Sequence, residues 1–100
     1  MKELKEDVKV LMKEEYRRAA EEFGERNNSP HESYAVLKEE VEEAKEELRD
    51  IKEYFTWYWH CVKKNNAEQQ EEVLKRIEEA ALNAACECIQ VAAMAYKARK

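Results

Sequence analysis

The sequence has one glycine and one proline in 100 residues, which leaves almost no vocabulary for the tight turns that connect β-strands. Its three cysteines, Cys61, Cys86 and Cys88, are odd in number. On a helix the Cys86-x-Cys88 pair would point its thiols about 200° apart, so structural disulfides are not expected. Two histidines and three cysteines so arranged do not form the paired ligands of a zinc site. No run approaches the roughly 20 apolar residues that span a bilayer. The segment from Met1 to Glu15 also lacks the unbroken apolar core of a secretory signal. A soluble, cytoplasmic chain with no membrane partner is the expectation. The 18 basic residues are interspersed among 23 acids, with a net charge of −5. There is no concentrated basic face to track a polyanion, and no nucleic acid polymer is expected as partner.

What remains is a vocabulary of helix formers, rich in Glu, Lys, Ala and Leu. Leu4, Val8, Leu11, Met12, Tyr16, Ala19 and Phe23 recur at intervals of three and four, and Gly24 stands where a left-handed cap would end the run. This pattern predicts a first helix over 3–23. Ser29-Pro30-His31-Glu32 reads as N-cap, N1, N2 and a reciprocal N3 carboxylate. That box opens a second helix over 30–63, with Leu37, Val41, Ala44, Leu48, Ile51, Phe55, Trp59 and Val62 in one stripe. Asn66 and Gln69 restart a third helix over 67–97, and so short a connection makes helices two and three antiparallel neighbours.

The third helix is amphipathic to Glu79 and apolar on nearly every side from Ala80 to Tyr96, the mark of a helix inside a bundle. A chain this short removes only about 60 to 65% of its unfolded surface on folding, so partner chains are expected. The fold expected is a single all-α domain over 1–100: an antiparallel bundle of three long helices completed by oligomerisation as a homodimer or homotetramer.

The charges of the second helix are sorted by sign. Glu40, Glu43, Glu47 and Asp50 fall on one flank of the stripe, and Lys38, Lys45, Arg49 and Lys52 on the other. Acids at this spacing repel one another, a cost that a divalent cation would remove, and Glu-x-x-Glu presents two hard oxygen ligands one turn apart. A solvated acidic face is the alternative. In the third helix Asn83, Glu87 and Gln90 are the polar side chains of an otherwise apolar stretch, spaced as a seam. A carboxylate there needs a proton, a cation or a salt bridge. Glu87 is open to two readings: pairing with Lys or Arg of the first helix, or sharing a metal with Glu40 and Glu43.

The stretch Ser29-Pro-His-Glu-Ser-Tyr-Ala-Val-Leu-Lys-Glu-Glu-Val-Glu-Glu43, followed by Glu87-Cys-Ile-Gln-Val-Ala-Ala-Met-Ala95, resembles the small phage and Gram-positive members of the MazG-like all-α nucleoside triphosphate pyrophosphohydrolases. The resemblance covers roughly residues 20 to 96. It implies Mg²⁺, or Mn²⁺, held by Glu40, Glu43 and Glu87, with Gln90 standing where the family has Asp. It further implies that a nucleoside or deoxynucleoside triphosphate is hydrolysed to monophosphate and pyrophosphate, with Glu39 or Glu43 deprotonating the attacking water. The neutral amide of Gln90 weakens the expected metal site and opens a second reading, a catalytically weakened relative that binds nucleotide or protein. The gap between the two motifs is longer than the family pattern and contains Phe55-Thr-Trp-Tyr-Trp59. Trp57 in that cluster is a candidate to stack a base, packing being the alternative. His31, in the first turn of the acidic helix, is a candidate for the substrate anion.

Overall fold

The computed structural model describes all 100 residues as three α-helices with no strand: α1 (Lys2–Phe23), α2 (Pro30–Lys63) and α3 (Ala67–Ala98). The ends fall within one residue of those expected from periodicity, because local chemistry sets each of them. At the start of α2 the Ser29 hydroxyl accepts from the Glu32 N–H at 3.1 Å, and Pro30 fills the first helical position. The Glu32 carboxylate does not return to the Ser29 amide as a reciprocal box would have it. It accepts from the Asn28 N–H at 3.4 Å instead. Asn66 caps α3 by accepting from the Gln69 N–H at 3.0 Å.

Gly24 has the positive φ expected of a cap, but its ψ of 160° is extended rather than left-handed helical. That region is open essentially to glycine alone.

The three-residue link from α2 to α3 forces the two helices into an antiparallel hairpin. Asn65 takes φ 54° there, a left-handed conformation that asparagine tolerates. Beneath the link Cys61 is fully buried. Its thiol donates to Gln69 Oε1 at 3.7 Å, and its carbonyl accepts from Gln70 Nε2 at 3.4 Å. All three cysteines are free. Ala44 of α2 and Val73, Ala80 and Ala84 of α3 are buried, and side chains this small let helix backbones approach closely.

The first helix packs against α3 alone and does not reach α2, so the arrangement is a hairpin with a flanking helix rather than a bundle in which all three helices meet. Tyr16 and Tyr96 meet edge to face across this junction, 5.0 Å between ring centres. No residue of α1 is fully buried.

The consequence is a thin core. The radius of gyration is 17.3 Å, against about 13 Å for a compact chain of this length. The accessible surface is 7869 Å², about 1,900 Å² more than the roughly 6,000 Å² of a compact monomer of this mass. Leu82, Phe55 and Trp59 are each more than half exposed. The segment from Ala80 to Tyr96, expected to be enclosed on all sides, has Leu82, Asn83, Cys86 and Cys88 exposed in the single chain. No helix is long and apolar enough to cross a membrane.

Candidate metal centre

The antiparallel hairpin sets the middle of α2 beside the second half of α3, and the acids meet there. Glu40, Glu43 and Glu47 recur at three and four residues around buried Ala44. Glu87 faces them from α3. One carboxylate oxygen from each of Glu40, Glu43 and Glu87 lies within 4.8 Å of the others. Glu40 and Glu87 are half-buried, while Glu43 is exposed.

None of the three is paired with a basic side chain. The ion pairs of the chain lie elsewhere, at Glu6–Lys9, Glu15–Arg18, Lys38–Glu42, Glu71–Lys75 and Glu72–Arg76. A salt bridge from Glu87 to α1 is therefore not the way its charge is met. Two like charges 4 Å apart repel by about 1 kcal/mol in open water and about 4 kcal/mol at an effective dielectric near 20. The partial exposure of this cluster places it between those limits.

The titration of the acids registers the crowding. Burial, first, pushes the Glu87 carboxyl above the ordinary 4.5; the hydrogen bond with Glu43 and the charges of Glu43, Glu40 and Glu47 add to it. Glu40 is also raised, by burial and then by the charges of Glu43 and Glu39. The donor set itself is hard oxygen from two helices, chemistry suited to Mg²⁺ or Mn²⁺ with water and phosphate oxygens completing the shell.

The polar seam of α3 is divided by the structure. Asn83 is exposed, Glu87 turns to α2, and Gln90 turns to α1, where its Nε2 donates to Glu15 Oε2 at 2.7 Å. Glu15 is held in turn by Arg18. Only the amide oxygen of Gln90 is left for the ligand role that the resemblance implies. Glu39 is exposed and acts on the cluster through its charge on Glu40. His31 is exposed nine residues before Glu40, about 13 Å along the helix. Trp57 is fourteen residues beyond Glu43, about 21 Å, with the Arg76 guanidinium 5.8 Å over its ring. Within one chain neither reaches the acids.

Sequence reading missed the Gln90–Glu15 bond. The signal was present: α1 has no apolar residue at Glu15, yet this position follows Leu11 and Met12 by four and three and so belongs to the face that packs on α3. Comparison with family models, curated proteins and solved structures finds no match, so the MazG-like resemblance rests on the two sequence motifs alone.

Proposed function

We propose that this chain is a Mg²⁺-dependent nucleoside or deoxynucleoside triphosphate pyrophosphohydrolase serving nucleotide-pool control. The observation that carries the reading is the meeting of Glu40, Glu43 and Glu87, from two helices, within 4.8 Å and with no basic partner. Glu40, Glu43 and Glu87 are the residues that would hold the cation; Gln90, turned to Glu15 of α1, would have to swing back toward α2 to add its Oε1. When bound, the cation neutralises and polarises the phosphate oxygens of the substrate.

The remaining work falls to the chain. Glu43 and Glu39 are exposed and so accessible to water, and a carboxylate held beside a polarised phosphate accepts the proton of the attacking water. Half-buried Glu40 and Glu87 sit between the helices and are the better fixed pair.

Self-association as a homodimer or homotetramer belongs to the same proposal. The excess of about 1,900 Å² over a compact monomer is of the size each subunit of an obligate homodimer buries, and Phe55, Trp59 and Leu82 supply apolar side chains for it.

The second reading, a relative that binds nucleotide without turnover, is favoured by the Gln90–Glu15 bond, which occupies the side chain standing in for the family Asp. One experiment separates the two: incubation of the purified protein with canonical and modified nucleoside triphosphates and Mg²⁺ or Mn²⁺, with pyrophosphate release as the readout. The enzyme reading expects release that Glu43→Ala abolishes. Binding without release in the wild-type chain selects the weakened relative, and neither binding nor release rejects both.

A further inference from the structure

The buried stripe of α3 runs through Ala80, Ala84, Ala93 and Met94 and ends on a lysine. Lys97 is only 5% exposed. A lysine so buried ordinarily has a carboxylate partner, yet Lys97 takes part in none of the chain's ion pairs. Its Nζ lies 5.9 Å over the Phe23 ring, a face that attracts a cation but leaves its three N–H donors unused. No fully enclosed side-chain nitrogen or oxygen in the molecule lacks a hydrogen-bond partner. The unpartnered ammonium is therefore the part of Lys97 that reaches an opening, with its stem buried.

That opening is a cleft of about 540 Å³ between the start of α2 and the end of α3. Arg26 and Lys100 line it together with Lys97, and no Asp or Glu side chain does, the Glu32 carboxylate being engaged by the Asn28 N–H at its edge. Ser29 and Ser33 also line it, and each hydroxyl already accepts a hydrogen bond, from the Glu32 N–H and from Asn27 Nδ2. Their own O–H groups remain to donate. Tyr34 and Leu37 add an apolar wall. Lys100 is shared with the adjoining aromatic pair: its Nζ lies 4.6 Å over the Tyr96 ring and 5.3 Å over the Tyr16 ring, and it, followed by Lys13 and Arg99, draws the Tyr96 hydroxyl below its ordinary value.

The helix dipoles do not decide the matter. Pro30 has no N–H and the Glu32 amide is capped, while the carbonyl end of α3 opposes the amide end of α2. Side-chain cations carry the site.

We infer that this cleft binds the phosphate or pyrophosphate group of a small soluble molecule, with Lys97, Arg26 and Lys100 as its cations and the Ser29 and Ser33 hydroxyls as donors. Three cations without a counter-acid match a group carrying two or more negative charges, and the volume leaves room for the rest of the molecule along Tyr34. Along α3, Lys97 is ten residues from Glu87, about 15 Å; along α2, Ser33 is seven residues before Glu40, about 10 Å, and Leu37, at the inner end of the cleft, is three, about 4.5 Å. The cleft needs no divalent cation and is independent of the catalytic proposal.

The test is titration of the full chain with pyrophosphate, by calorimetry at low salt in buffer containing EDTA, so that the carboxylate cluster cannot take part through a metal. Saturable binding is expected, weakened at least about tenfold by Lys97→Met and several-fold by Arg26→Gln combined with Lys100→Gln, and unchanged by Lys75→Gln, which removes an exposed lysine of α3 outside the cleft. The double variant alters only exposed side chains and stays informative if Lys97→Met fails to fold. Absence of binding by the wild-type chain, or undiminished binding by the double variant, overturns the inference. So does capture by phosphatidic acid vesicles without uptake of soluble pyrophosphate.

Discussion

Gln90 on α3 is tied to Glu15 on α1, its Nε2 donating to the Glu15 Oε2 over 2.7 Å. This bond joins the flanking helix to the hairpin at a point where α1 buries no residue completely. Gln90 is thus occupied in joining α1 to α3.

Gln90→Asp, which puts an acid at this position, is expected to destabilise the chain. The donor is lost and a carboxylate is set against the Glu15 carboxylate, at a cost of about 1 to 3 kcal/mol. Adding Glu15→Gln supplies a new donor and recovers most of that loss. Urea unfolding at neutral pH measures both. Equal stability of Gln90→Asp and the wild-type chain would show that the bond carries no weight.

The crowding of Glu87 makes stability depend on pH in a definite sense. Its carboxyl is raised above 4.5 when folded, so from about that pH upward through the raised value the folded chain holds more protons than the unfolded one. Stability then falls as pH rises across this window and levels off above it. Glu40, also raised, acts in the same direction. Thermal melts from roughly pH 4 to pH 8 are expected to show this slope, reduced in Glu87→Gln, which is more stable than wild type at neutral pH. From the proposed metal site, Mg²⁺ is expected to raise the melting temperature more above the window than below it.

Self-association predicts that charge placed on the exposed apolar face dissociates the assembly without unfolding the helices. Phe55→Glu with Trp59→Glu alters two side chains that are 64% and 56% exposed in the single chain. Light scattering is expected to give a multiple of 11.9 kDa for the wild-type chain and the monomer mass for the variant, with unchanged helical circular dichroism. A wild-type chain that runs as a monomer at high concentration rejects the oligomer.

The helices were legible in the sequence because each boundary is written in a few neighbouring residues: Ser29-Pro30 before α2, Asn66 before α3 and Gly24 after α1. The pairing of Glu40 and Glu43 was legible for the same reason, being a matter of spacing on one helix. Its convergence with Glu87 required the α2–α3 register, which the short link at Lys64–Asn66 fixes in outline. Periodicity could not tell which neighbour α1 would choose, because its stripe fits α2 or α3 equally well. Nor could it tell that Gln90 would turn to α1 while Glu87 turned to α2. Lys97 was missed because lysine is ordinarily read as solvated. Its position, three and four residues past Met94 and Ala93, placed it on the buried stripe all along.

The central claim, a divalent cation shared by acids of α2 and α3, is tested most directly with Mn²⁺, whose free aquo ion gives an electron paramagnetic resonance signal that fades on binding. The account predicts loss of the free signal at one site per three-carboxylate cluster, with Glu43→Gln and Glu87→Gln each restoring it although they lie on different helices. Mn²⁺ that stays free beside the folded wild-type protein, or that binds equally well after Glu87→Gln, would contradict it.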